Sequence, residues 1–127
     1  MARKQFTLEY IIRSSQAILF DFVSNPTNLA QWFSDTCDAN ENFIAFGWGG
    51  SIEKAEIVEY IQEDFVKYRW LDSKFKDEFF SFRIYKSEIA NDTIFEITDF
   101  ADAKEVKDQT MLWDSQVDEL KHQLGAS

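Results

Sequence analysis

The stretch from Ala103 to Leu124 constrains this chain most. It contains no proline or glycine, and Val106, Trp113, Val117, Leu120 and Leu124 recur at steps of three, four or seven, the spacing of one helical face. Met111 and Leu112 broaden the stripe, whereas Asp114, Asp118, Glu119 and Lys121 fall largely away from it. Asp102 followed by Glu105 has the spacing of a capping box, with Asp in place of the usual hydroxyl residue. Gly125 then stands where helices prefer to stop. A helix of about twenty residues spans roughly 30 Å at 1.5 Å per residue, enough to cross a small domain. Its apolar face needs a partner, and the residues upstream read mostly as strands able to wrap it.

Composition sets the scale of that wrapping. At 127 residues the chain is expected to form one domain over 1–127 with a single core. Its 13 phenylalanines supply most of the buriable area. The formal net charge of −10 repels phosphate backbones and anionic headgroups, so nucleic acid is not an expected partner. No apolar run reaches the roughly 18 residues of a membrane span, so membrane insertion is not expected either. The basic start, Met1 to Gln5, is followed by no signal-like apolar run, and the cytoplasm is the expected compartment. Cys37 stands alone, which leaves no internal disulfide and no cysteine-built zinc site.

Taken in order, Phe6, Leu8, Tyr10 and Ile12 alternate with polar residues as a half-buried strand over 5–13. Ser14 and Ser15 offer a cap for a helix over 16–24. Asn25-Pro26 then opens a second short helix, with Asn25 as cap and proline at the first helical position, and Leu29, Trp32 and Phe33 on one face. Residues 35–42 read as a polar turn. Strands are expected at 43–48, 54–61, 65–71, 78–88 and 93–100, with Gly47, Gly49 and Gly50 marking a turn or bulge. The glycines form no phosphate-binding motif.

Three segments resemble the START-like (Bet v 1-like, SRPBCC) superfamily, and most of all the branch similar to the C-terminal domain of the Hsp90 ATPase activator Aha1. Residues 16–33 show a helix, a proline turn and a helix ending in Trp32-Phe33. Phe65 to Trp70 is similar to the family's strand ending in Tyr-x-Trp, and Trp113 to Lys121 to its closing helix. Met111-Leu112 stands where members of the family often carry glycine. The resemblance spans roughly 6–124 and implies an α+β helix-grip: a curved antiparallel sheet wrapped round a long C-terminal helix, with two short helices after the first strand. Such folds commonly leave a cavity between sheet and helix for an apolar or amphipathic small molecule. Trp32, Phe33, Tyr68, Trp70, Phe80, Phe82, Ile84, Trp113 and Val117 are the candidate lining residues, although the same side chains can equally fill a core.

Catalytic chemistry finds little support. His122 is the only histidine, near the end of a helix, so neither a Ser-His-Asp triad nor a multi-histidine metal site is available. Neither a metal nor another cofactor is expected. A Cys37–His122 pair requires the fold to join distant segments. Glu56, Glu59, Glu96 and Asp99 lie on strands, where most carboxylates face water, and one turned inward becomes a candidate acid or base. Arg83, on the strand face of Phe79, Ser81 and Tyr85, is a candidate anchor for a ligand carboxylate, whereas Arg69 is expected outside, opposite Tyr68 and Trp70.

The first reading is a non-enzymatic module that binds a hydrophobic or amphipathic ligand, a lipid among them. A second is an Aha1-like protein-interaction domain with a filled core and a chaperone-like partner, and a third is a cyclase- or hydrolase-like enzyme of the same superfamily. All three rest mainly on the fold, which does not by itself fix function.

Overall fold

A computed structural model describes residues 2–125. Strand β1 (Arg3–Ile12) is followed by α1 (Gln16–Ser24) and α2 (Pro26–Leu29), then by β2 (Thr36–Ala39), β3 (Ile44–Trp48), β4 (Ser51–Ile61), β5 (Phe65–Trp70), β6 (Phe80–Lys86) and β7 (Thr93–Asp102). A 3-10 turn at Ala103–Glu105 leads into the long helix α3 (Val106–Leu124). The strands form one seven-stranded antiparallel sheet in the order β1-β7-β6-β5-β4-β3-β2. The α1–α2 segment carries the chain from one edge strand to the other, and β7 returns to pair with β1 along its whole length.

Local chemistry explains the early elements. Ser15 Oγ accepts the Ile18 amide at 3.2 Å and caps α1, and Asn25 Oδ1 accepts the Thr27 amide at 3.0 Å ahead of Pro26. The two short helices are pinned to their neighbours through buried polar tips. Tyr68 Oη on β5 donates to the Val23 carbonyl at 2.9 Å, and Trp32 Nε1 donates to the Phe22 carbonyl at 2.7 Å. Gly49 and Gly50, at φ +52° and +95°, make the two-residue turn between β3 and β4, where Trp48 pairs directly with Ser51.

Strand alternation sends Phe95, Ile97, Asp99 and Ala101 of β7 to the inner face, with Phe80, Phe82 and Ile84 of β6 beside them. Trp113, Val117 and Leu120 of α3 are buried against this face, and Gly125 closes the helix at φ +68° with its amide on the His122 carbonyl.

Three details differ from the sequence reading. Residues 36–39, expected as turn, form the edge strand β2, which is short and polar and carries no hydrophobic alternation to announce it. Asp102 does not cap α3, because it is still paired with Arg3 in the sheet and the 3-10 turn intervenes. Its carboxylate lies instead 3.7 Å from the Arg3 guanidinium. Met111 and Leu112 do not extend the buried stripe. At about 100° per residue they rotate off the Trp113 face, and both are more than half exposed.

Candidate functional site

Between the concave face and the first half of α3 lies a cavity of about 510 Å³. Each element contributes at a defined place: Phe33 from the turn after α2, Trp48 from the end of β3, Trp70 from the end of β5, Phe80 from the start of β6, and Trp113 from α3. Ser51, Glu53 and Leu112 are exposed at its rim, while Asp99, Gln109 and Gln116 supply polar groups.

Phe33 organises the ring cluster. Its ring stacks on Trp113 at a centroid distance of 5.7 Å and on Phe80 at 5.5 Å, and meets Trp48 edge-on at 5.4 Å. Its carbonyl accepts both Trp48 Nε1 at 2.8 Å and Gln116 Nε2 at 2.9 Å, so strand, turn and helix are joined at one backbone atom. Trp70 packs on Phe80 at 4.9 Å and on Trp48 at 6.2 Å.

Asp99 is the polar centre of the wall. Its Oδ2 accepts Trp113 Nε1 at 2.9 Å and Gln109 Nε2 at 3.4 Å, and Oδ1 accepts the Phe100 amide at 2.8 Å. Burial pushes its pKa above the ordinary carboxylate value, and these hydrogen bonds only partly oppose that. A second recess of about 270 Å³ shares Trp70, Asp99 and Gln109 with the first, so Asp99 stands between two hollows.

The candidate lining residues divide into two groups. Phe33, Trp70, Phe80 and Trp113 line the cavity. Tyr68, Phe82, Ile84 and Val117 are sealed in the core, as is Trp32, whose ring packs on Phe82 and Phe95. Arg83 is corrected as an inward anchor: it lies on the outer face, 3.8 Å from Asp64 and 4.6 Å from the centre of the Phe65 ring. The outward parity it shares with Ser81 and Tyr85 makes this unavoidable. Arg69, also outward, pairs with Glu56, and Lys67 with Glu59, both across β4 and β5.

Sequence reasoning missed Trp48, Gln109 and Gln116. Trp48 lies two residues beyond Phe46 on β3 and shares its face, which places it inward once the strand is recognised. The two glutamines carried no signal beyond lying one helical turn either side of Trp113. Cys37, in β2, packs against the core, and its thiol is pushed up to about 11 by burial and then by Asp38, whereas His122 is exposed in the last turn of α3.

The sheet order, the helix lying across it and the cavity between them coincide with a family-wide match: the START-like superfamily domain matches residues 1–126. The chain belongs to the START-like superfamily. No curated protein matches it. Among solved structures, BfR322 from Bacteroides fragilis is 33% identical, with 97% of this chain and 92% of that one covered and a TM-score of 0.69. The Aha1 dimer from Colwellia psychrerythraea has the same fold, with a TM-score of 0.79 at 15% identity over 95% of this chain and 96% of that one. DynU16, a putative protein of the dynemicin biosynthetic locus, gives 0.76 at 17% identity, covering 95% of this START-like chain and 47% of its own. No helix among the described residues is long and apolar enough to cross a membrane.

Proposed function

We propose that this START-like chain is a non-enzymatic binding module that holds a hydrophobic or amphipathic small molecule between its sheet and α3. The observation that carries the reading is the aromatic cavity of about 510 Å³. That volume falls within the roughly 300–1,000 Å³ of small-molecule sites, and a few convergent polar groups on an apolar wall are their usual form. Binding is favoured over catalysis because, among the described residues, Asp99 has no second titratable group at hydrogen-bonding distance. Its partners are an indole, an amide side chain and a backbone amide. Native mass spectrometry of freshly purified protein, followed by denaturation and analysis of released molecules, tests the reading. A stoichiometric apolar species is the expected result, and a bare polypeptide mass that stays unshifted after incubation with hydrophobic small molecules contradicts it.

A second reading, an Aha1-like protein-interaction domain with a chaperone-like partner, is favoured by one separate observation. Ile57, Val58, Tyr60 and Ile61 of β4 are each exposed by more than 40%, which gathers exposed apolar side chains, distributed over both faces of the strand, in the part of β4 that leads into the β4–β5 turn. The Aha1 of Colwellia psychrerythraea is itself a dimer. Sedimentation of the wild type and of Tyr60→Glu, alone and with a purified Hsp90 chaperone, tests it. Association lost in the variant supports this reading, and sedimentation as a free monomer in every mixture contradicts it.

A further inference from the structure

We propose that the cavity selects organic cations, so that its ligand is an aromatic or alkyl amine whose ammonium group sits beside the Asp99 carboxylate. The proposal rests on the small-molecule reading above and names its ligand class. The charge of the wall is one-sided. Among the described residues, Asp99 and Glu53 line the cavity and no lysine, arginine or histidine does. The adjoining recess adds Glu78, Asp102 and Glu105 against a single Arg3.

That arginine is already engaged. Its Nε and one terminal nitrogen bind Glu78 at 2.9 and 2.5 Å, its other terminal nitrogen lies 3.7 Å from Asp102, and its guanidinium covers the Phe75 ring at 4.1 Å. Asp99 is therefore held by neutral donors alone. A carboxylate offers about four acceptor positions, of which three are used, so a ligand N–H can take the next without breaking an existing bond. A buried charge without an opposite partner is costly, and an incoming ammonium supplies one.

The rings act in the same direction. Trp48, Trp70 and Trp113, with Phe33 and Phe80, surround the cavity, and tryptophan is the aromatic side chain that attracts a cation most strongly. A ligand carboxylate meets the opposite conditions: among the described lining residues, two carboxylates, five aromatic side chains and no cation. The net charge of −10 extends the same preference to the encounter.

Calorimetric titration at pH 7 with tryptamine, indole and indole-3-acetate tests this with one ring system in three charge states. Tryptamine is expected to bind at least tenfold more tightly than indole, with indole-3-acetate weakest. Asp99→Asn should bring tryptamine to the level of indole. Glu53→Gln, at the exposed rim where folding is not at stake, should weaken tryptamine about threefold and leave indole unchanged. Equal or tighter binding of indole or indole-3-acetate overturns the cation preference while leaving the cavity as a ligand site. Failure of all three probes to bind overturns both.

Discussion

Trp113 Nε1 donates to Asp99 Oδ2 at 2.9 Å, and this one bond ties the C-terminal helix to the last strand at the wall of the cavity. Both residues are contributed where the two elements cross, and the Trp113 ring stacks on Phe33 from the short-helix segment. Fold and candidate site thus share their central contact.

Replacing Trp113 by Phe keeps an aromatic ring in the stack and removes the donor. The expected loss is about 1–3 kcal/mol, the usual cost of leaving a buried acceptor short of a partner. Urea denaturation monitored by circular dichroism measures it. An unchanged midpoint contradicts a structural role for the Trp113–Asp99 bond.

Asp99 also leaves a signature in pH dependence. Its native pKa is raised, first by burial, so the native state holds its proton at pH values where the unfolded chain has released it. Where the native state binds more protons, stability falls as pH rises. Trp113, Gln109 and the Phe100 amide face the carboxylate and moderate the shift, with Arg3 acting from a distance. The wild type should therefore lose stability relative to Asp99→Asn as pH rises from the unfolded value of about 3.9 through the raised native one. Parallel stability profiles for the two proteins contradict the assignment.

Tyr68→Phe removes the bond from the phenol to the Val23 carbonyl while keeping the ring stacked on Phe80. A loss of about 1–3 kcal/mol is expected, because the Val23 acceptor remains buried. The native phenol is also held well above the ordinary tyrosine range by burial. Spectrophotometric titration should therefore find it protonated until the protein unfolds in alkali, and its ionisation near pH 10 in folded protein contradicts this.

The long closing helix, the short helices and the outer strands were legible because hydrophobic period and caps agree: the heptad-like recurrence from Val106 to Leu124, Ser15 and Asn25 at helix starts, and alternation in β1 and β7. The helix-grip that joins them was legible through the family resemblance. β2 was not legible, since Thr36 to Ala39 is held by pairing to β3 rather than by its own pattern. The aromatic rings were legible as inward, but not which of them border empty space. Phe80 and Phe82 have the same parity on one strand, and only Phe80 reaches the cavity, because the Phe82 ring is enclosed by Trp32, Phe33, Tyr68, Phe95 and Trp113. Asp99 was legible as inward-capable because it shares the strand parity of Phe95 and Ile97. Its burial depended on the Trp113 and Gln109 donors, which come from another element.

Cys37 should be a slow nucleophile. With its thiol pushed up to about 11, little thiolate exists at pH 8, and the reactive form is the thiolate. Iodoacetamide labelling followed by mass spectrometry should show native protein modified at least tenfold more slowly than protein unfolded in urea. Equal rates contradict the buried environment of β2's inner face.

The central claim, that the space beneath α3 is a ligand site, is tested most directly through the four tryptophan indole N–H signals. Nitrogen-15-labelled protein titrated with unlabelled indole should shift the signals of Trp48, Trp70 and Trp113, which line the cavity. The Trp32 signal should stay in place, because that ring is sealed in the core with its N–H on the Phe22 carbonyl. Unmoved indole signals at all three cavity tryptophans, or backbone amide shifts confined to β4, contradict the claim.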